Sequence, residues 1–331
     1  MKKIVIRADS STQIGSGHLM RCLTLAKQLM KNENAEVFFI SRDLEGNLND
    51  LVTFEGFKLF TLPRHNFDAT LTGYAAWLTV PQNVDAEETA EILKSLGVVD
   101  RLIVDSYAID TQWETALRPF VKEIFVIDDL ANRKHNCDIL LDQNFYNNME
   151  SRYVGLVPAH CKLKLGPENA LLREEFYEVK KHLRQRDGSI KNILVFYGSS
   201  DLTNETMKAL QALSKLNLPN VTVNVVVGAN NANKNLVEEY CREHNFNFFC
   251  QVKNMAELMN AADLALGAGG TTTWERLFLK LPSVVTAIAE NQIEGCECCA
   301  QHNLIHYLGY YDEVTADKMV SALQKYFYCR E

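Results

Sequence analysis

Two glycine-containing stretches of this sequence combine a flexible backbone with residues that can move protons or hold anions. The first is Asp9-Ser10-Ser11-Thr12-Gln13-Ile14-Gly15-Ser16-Gly17-His18-Leu19-Met20-Arg21. It follows the apolar run Ile4-Val5-Ile6 and leads into apolar residues at helical spacing, Leu19, Leu23, Ala26 and Met30. Gly15-Ser16-Gly17 makes a turn that can expose backbone N–H groups. It is not a dinucleotide fingerprint, because Met20 stands where the third glycine belongs, and no Lys-Ser/Thr pair follows to make a Walker loop. His18 falls at the start of the helix, whose positive end disfavours imidazolium. A neutral imidazole there can act as a general base. Arg21, one turn on, could pair with a phosphate or with Asp9. A polar loop with a capping histidine would use the same residues.

The second stretch is Gly267-Ala268-Gly269-Gly270-Thr271-Thr272-Thr273-Trp274-Glu275, after the run Leu264-Ala265-Leu266. Gly270, Thr271 and Thr272 open a helix and offer N–H and hydroxyl donors to an anion, and a diphosphate fits that description. Glu275, a turn further on, can accept two hydrogen bonds from a ribose diol. A plain glycine turn with a threonine cap is the alternative. Tyr197-Gly198-Ser199-Ser200-Asp201 repeats the strand–glycine–polar layout, with Asp201 also suited to capping a helix. Asn291 and Gln292 offer amides for phosphate or sugar hydroxyls, or form a solvated loop. Acids close three further strands, at Asp105-Ser106-Tyr107, Asp128-Asp129 and Asp142-Gln143-Asn144, and some of these serve as structural caps. Cys296-Glu297-Cys298-Cys299 has no matching second cluster and sits in a helical pattern, so no metal site is expected. Trp77, Trp113 and Trp274 read as packing residues.

These groups need a scaffold, and the chain alternates strand-like and helix-length segments. Strands are expected at Ile4–Ile6, Glu36–Ile40, Leu102–Asp105, Ile124–Asp128 and Asp138–Asp142. After the polar stretch His182–Lys191 the pattern restarts at Asn192–Gly198 and continues at Val221–Gly228, Phe246–Cys250, Leu264–Gly267 and Ser283–Ile288. Such alternation means an α/β chain with parallel sheets covered on both faces, whose ligands lie beyond the C-terminal strand ends. The expected division is a first domain over 1–166, a linker over 167–190 and a second domain over 191–331. The last helix could return to the first domain.

At 331 residues the chain can build two such domains. No apolar run approaches the roughly 20 residues of a membrane helix, and Arg7 and Asp9 interrupt the N-terminal run before it could serve as a secretion signal. A formal net charge of −8 argues against general nucleic-acid binding but not against a local anion site. Nine cysteines, an odd number in a long unsignalled chain, point to reduced thiols in the cytoplasm.

The stretch from Asp9 to Arg21 resembles the N-terminal signature of the PseG family, the UDP-2,4-diacetamido-2,4,6-trideoxy-β-L-altropyranose hydrolases of pseudaminic acid biosynthesis. Further matches, in the family's order, are Asp105-Ser106-Tyr107, Ile127-Asp128-Asp129, Cys137-Asp138-Ile139-Leu140-Leu141-Asp142-Gln143-Asn144, Tyr153-Val154-Gly155-Leu156-Val157-Pro158 and Ala170-Leu171-Leu172-Arg173-Glu174-Glu175-Phe176. The resemblance covers nearly the whole chain. Gly269-Gly270-Thr271-Thr272-Thr273-Trp274-Glu275 is also similar to the nucleotide site of MurG, a glycosyltransferase of the GT-B fold. The resemblance implies that fold: two Rossmann-like domains with an interdomain cleft. It implies inverting hydrolysis at C1 with release of UDP, His18 as the base, Tyr107 as an active-site tyrosine, Glu275 on the ribose and the backbone near Val252 at the uracil edge. Gly17, Arg21, Asn144, Gly198, Gly270, Thr271, Thr272, Asn291 and Gln292 complete the candidate substrate contacts. One departure is Tyr197, where the family carries glycine.

No cofactor or metal is implied. The expected partner is the UDP-sugar alone, with no nucleic acid or membrane, and the expected state is a cytoplasmic monomer. The rivals are a GT-B glycosyltransferase with an acceptor, a hydrolysing UDP-sugar 2-epimerase and a non-catalytic nucleotide-sugar sensor.

Overall fold

Runs of Ile, Val, Leu and Phe too short for helices become buried strands, and the amphipathic stretches between them become the covering helices. A computed structural model describes residues 1–327, so Cys329 lies outside the described residues. The chain divides at Leu171/Leu172 into two units.

In the first unit, β1 (Lys2–Ala8), α1 (Gly17–Glu33), β2 (Ala35–Arg42), α2 (Asn49–Phe54) and β3 (Lys58–Leu62) are followed by α3 (Gln82–Leu96), β4 (Val99–Asp105), α4 (Thr111–Leu117), β5 (Val121–Ile127), β6 (Ile139–Asp142) and β7 (Lys162–Leu165). The strands form one sheet in the order β3-β2-β1-β4-β5-β6-β7, every pair parallel. Strand order reverses between β1 and β4, and the register Ala8↔Asp105 brings the first glycine stretch beside the end of β4. One core lies on each face: Ile4, Ile6, Phe39 and Ile103 with α1 on one, Val5, Ile40, Leu102 and Trp113 with α3 and α4 on the other.

The second unit carries α5 (Glu174–Lys180), β8 (Asn192–Phe196), α6 (Glu205–Lys215), β9 (Thr222–Val227), α7 (Lys234–Glu243) and β10 (Asn247–Cys250). It continues with α8 (Met255–Ala261), β11 (Leu264–Ala268), α9 (Thr272–Phe278), β12 (Ser283–Ala287), α10 (Ile293–Gln301), β13 (His306–Tyr310) and α11 (Ala316–Phe327). Its sheet runs β10-β9-β8-β11-β12-β13, with all pairs parallel and the reversal between β8 and β11. No helix among the described residues is long and apolar enough to cross a membrane.

Two expectations about domain organisation need correction. The stretch 167–190 is not a free linker: from Leu172 it belongs to the second unit. Phe176 is fully buried, Lys180 donates to the Phe278 carbonyl, and Arg184 and Arg186 reach the carbonyls of Ala262 and Met259. These polar residues bond backbone carbonyls 73 to 98 residues on in the sequence. The last described helix, α11, packs within the second unit, where Met319, Ala322 and Leu323 join the core around β8 and α6.

Asp9, offered above as a partner for Arg21, is structural. It accepts from Arg7 Nη1 at 2.6 Å and from the Arg42 amide at 2.7 Å, tying β1 to β2. Arg7 and Arg42 are both fully buried and share Asp85, which also accepts from the Trp113 indole at 2.9 Å. Burial would raise the Asp85 carboxyl, but Arg7 and Arg42 hold it below the usual range. Removing the shared acid takes a buried carboxylate from two buried guanidinium groups at once, leaving Arg7 with Asp9 and Arg42 with Glu88. Asp85→Ala should therefore cost about 3–5 kcal/mol of unfolding free energy in a urea titration. A loss below about 1 kcal/mol, typical of a surface pair, would contradict this account.

Candidate functional site

In the first unit the site grows from the reversal of strand order. Gly15, at φ +78°, turns the chain after β1, Ser11 Oγ receives the Ile14 amide at 2.9 Å, and α1 begins at Gly17, which is exposed. His18 is therefore the second residue of α1, and it does not cap it. Its Nδ1 lies 2.6 Å from Asp105 Oδ1 at the end of β4. Arg21, one helical turn on, grips the same carboxylate through Nε at 2.6 Å and Nη2 at 2.7 Å. Burial favours a neutral Asp105, but Arg21 and then His18 outweigh it and hold the acid well below its usual range. An ionised carboxylate only accepts, so Nδ1 carries the proton and Nε2 presents its lone pair. Among the described residues nothing bonds Nε2.

Arg21 is the main correction on this side. It does not meet Asp9, and it is not left open for a phosphate. It is 6% exposed, and its remaining reach goes from Nη1 to Asp129 Oδ2 at 2.6 Å. Two buried carboxylates match one guanidinium fork, which leaves it no face for a third anion. Asp129 also accepts from the Tyr107 hydroxyl at 2.6 Å and from Asn144 Nδ2 at 2.9 Å. Tyr107 thus meets His18 through its ring, edge to face with centroids 4.6 Å apart, and not through its hydroxyl. Burial first, then Asp129, pushes the Tyr107 phenol well up, so it serves as a neutral donor. Asn144 also bonds Asp142 Oδ1, whose other oxygen accepts from Tyr153 at 3.0 Å. Of the strand-end acids, Asp105 and Asp129 serve His18 and Arg21. Asp128 is a loop anchor for Ala131 and Arg133.

In the second unit the candidate residues lie on loops after parallel strands and in the first turn of α9. Gly198 follows β8 at φ +94°, and the departure at Tyr197 is absorbed just before it: the ring is 1% exposed in the core, and the turn's positive φ falls on Gly198. Asp201 is a cap, accepting from the amides of Glu205 and Thr206, both at 2.9 Å. After β11 the backbone runs so close to its neighbours that side chains are excluded. A Cβ on Gly267 would meet the Phe196 carbonyl at 2.7 Å, and one on Gly269 would meet Cys296 Sγ at 2.3 Å. Among the described residues, the amides of Gly270 and Thr271 have no hydrogen-bond partner.

Thr272 Oγ1 accepts from Arg276 Nη1 at 3.2 Å, which fixes the oxygen and leaves its O–H as a donor. Gln292 turns its amide oxygen back to the Ile288 amide at 3.0 Å and holds Nε2 next to Gly270. Asn291 is half-buried on the same turn, and Val252 is half-buried after β10. Glu275 is 7% exposed. Its Oε1 accepts from Arg173 Nη2 at 3.2 Å, while Oε2 is buried with no partner. Burial, only partly offset by Arg173, raises its carboxyl. A buried acceptor without a donor fits a ligand hydroxyl arriving there. The cluster Cys296, Cys298 and Cys299 lies buried in α10, and no group of His, Cys, Asp and Glu among the described residues is arranged to hold a metal.

Sequence reasoning passed over two residues beside His18. Trp77, read as packing, lies with its ring 5.8 Å from the imidazole, and Tyr74 joins it. Neither stands at a strand end or in a motif, so no local signal marks them.

With this geometry in place, comparison with known proteins is informative. Residues 192–327 match the Glycosyltransferase family 28 C-terminal domain. The chain is 28% identical over 293 residues to the UDP-2,4-diacetamido-2,4,6-trideoxy-beta-L-altropyranose hydrolase of Campylobacter jejuni, covering 88% of this chain and 93% of that protein. It is 20% identical to the spore coat polysaccharide biosynthesis protein SpsG of Bacillus subtilis, covering 97% and 87%. The crystal structure of Acinetobacter baumannii MurG superposes with a TM-score of 0.64 at 16% identity, covering 98% of this chain and 90% of MurG. The expected fold, two Rossmann-like parallel-sheet domains of the GT-B type, is the fold found.

The carboxylate network predicts a pH signature. Burial, then the charge of Asp129, pushes Asp142 up to about 7 from an ordinary 3.8. Between those values the folded chain keeps a proton that the unfolded chain has released. Stability therefore falls as pH rises through that window. Asp142→Asn removes the slope, so its melting temperature should gain on the parent's between about pH 5 and about pH 8. A difference in Tm that does not change with pH would refute the assignment.

Proposed function

We propose that this chain, a relative of the Campylobacter jejuni hydrolase, cleaves a UDP-linked 2,4-diacetamido-2,4,6-trideoxy sugar at its anomeric carbon with water. The observation that carries this reading is the His18–Asp105 pair at the strand-order reversal, with Nε2 left open. Asp105, kept ionised by Arg21, fixes the tautomer, so Nε2 takes the proton as water attacks C1 from the face opposite UDP. The C1–O bond breaks, UDP leaves with the bonding pair, and the sugar is released with inverted configuration. His18 then returns its proton to solvent.

UDP is a good leaving group, so the requirement is charge stabilisation at the β-phosphate. The open amides of Gly270 and Thr271 and the Gln292 amide suit that task. The unpartnered Oε2 of Glu275 is suited to the ribose diol, and the backbone near Val252 to the uracil edge. Arg21, Tyr107 and Asn144 act through the two carboxylates, orienting the histidine side of the site. Gly17 and Gly198 shape the turns, and Asn291 extends the phosphate loop. The UDP-sugar is the only partner this reading requires.

The test is incubation with the UDP-sugar and no acceptor, followed by NMR. Free sugar should form in step with UDP, with inversion at C1. A strict need for an acceptor would indicate a transferase instead. His18→Asn should lower kcat by about 10²- to 10⁴-fold while leaving UDP affinity intact. Near-normal turnover would remove His18 from the base role. Glu275→Ala should mainly raise KM, because a ribose contact is alike in ground and transition states. A loss confined to kcat would contradict that role.

A further inference from the structure

Tyr74, Trp77 and Tyr107 make one continuous aromatic surface beside His18. Trp77 stands edge-on to the imidazole at 5.8 Å and stacks on Tyr107 at 5.5 Å and 29°. Tyr74 meets Trp77 at 4.8 Å and Tyr107 at 5.1 Å. Tyr107 is 7% exposed and its hydroxyl is held by Asp129, so it forms the back of this surface. Tyr74 and Trp77 are only half-buried and form its accessible part. They sit on a 3₁₀ turn, Gly73–Leu78, pinned by Leu78, which is 1% exposed. Trp77 packs against the core below and stays half-buried.

The position of this surface is informative. The groups around His18 that form hydrogen bonds, Asp105, Arg21 and Asp129, are buried and bonded to one another. What the site offers next to the base is apolar ring surface. Aromatic faces pack well against C–H and methyl groups, and they leave a hydroxyl placed against them without a partner. The sugar of the proposed reaction is deoxygenated at C6, so it carries a methyl group where an ordinary hexose carries hydroxymethyl.

We infer that Trp77 and Tyr74 bind the methyl-bearing side of the sugar and select a 6-deoxy sugar over its 6-hydroxy counterpart. This rests on the hydrolase reading and names the feature of the substrate that the first unit reads. Trp77 touches substrate here; it is not a support for His18.

The experiment compares steady-state hydrolysis of the UDP-linked diacetamido trideoxy sugar and its 6-hydroxy counterpart by wild type, Trp77→Ala, Trp77→Phe and Tyr74→Ala, with UDP affinity measured by calorimetry. Trp77→Ala should lose about 10- to 100-fold in kcat/KM on the 6-deoxy substrate, chiefly through KM, the range expected for losing one apolar contact. Its loss on the 6-hydroxy substrate should be smaller, so discrimination falls. UDP affinity and the pH profile of kcat should stay unchanged, and Trp77→Phe should keep most of the preference. Equal losses on both substrates, or none, would overturn the selection. So would a loss in kcat alone with a shifted pH profile, which would show Trp77 acting through His18. Should Trp77→Ala fail to fold, Tyr74→Ala reads the same ratio. A wild type that binds no UDP and releases no sugar would remove the hydrolase reading itself. Intact wild-type turnover with unchanged discrimination in the variants would remove this inference alone.

Discussion

The carboxylate of Asp105 is the constraint on which the rest of the first unit depends. It is 1% exposed and receives the imidazole of His18 and two N–H groups of Arg21. Burying an ion is costly unless its lone pairs are matched, and here they are matched by one cation and one oriented ring. The sheet sets this up before any side chain acts. Parallel pairing of β1 with β4 places Ala8 opposite Asp105, and the chain leaving β1 needs only one glycine turn to bring α1 over the acid. Helical spacing then puts His18 and Arg21 on one face. The orientation of His18 is thus a consequence of strand order and helix geometry together.

That arrangement divides the charged work of the molecule. Arg21 saturates itself on Asp105 and Asp129, so its charge is neutralised inside the first unit. The second unit is organised differently. Arg276 is 1% exposed and bonds the Ala268 carbonyl at 2.7 Å and two threonine hydroxyls, with no carboxylate hydrogen-bonded to it among the described residues. Burial lowers its guanidinium to about 10. Its charge lies against Gly267, directly behind a loop whose amides are open. The two units thus hold their buried arginines differently: Arg21 is bound by two carboxylates, whereas Arg276 bonds a carbonyl and two hydroxyls.

Most of the scaffold was legible because buried parallel strands announce themselves as continuous apolar runs. The exceptions are informative. β3, β7 and β13 were not anticipated, and all three flank only one neighbour in their sheets. β7 is Lys-Leu-Lys-Leu with three exposed residues, and β13 carries a histidine, two tyrosines and a glycine. Edge strands face water on one side, so they need no apolar run, and lysines there discourage pairing with other chains. The stretch 167–190 misled for the opposite reason. Arg184 and Arg186 look solvated in sequence, but they bond backbone carbonyls at the ends of α8 and α9.

The site was legible where chemistry is local and hidden where it is not. His18 stood out because a glycine turn, a helix start and an imidazole coincide within four residues. What Arg21 does was not visible, because its partners lie 84 and 108 residues away. A sequence shows that an arginine follows a histidine by one turn, but not that two strand-end acids will converge on it. The topology contained the missing step. Strand order reverses between β1 and β4, so the acid ending β4 is the one that must meet the helix leaving β1. Trp77 and Tyr74 lie beyond even that rule, since they come from a turn between β3 and α3 that no sheet position specifies. Their place beside His18 follows from packing alone. Packing is also where a shared fold ceases to determine function, because MurG at 16% identity shares this fold without fixing what stands around His18.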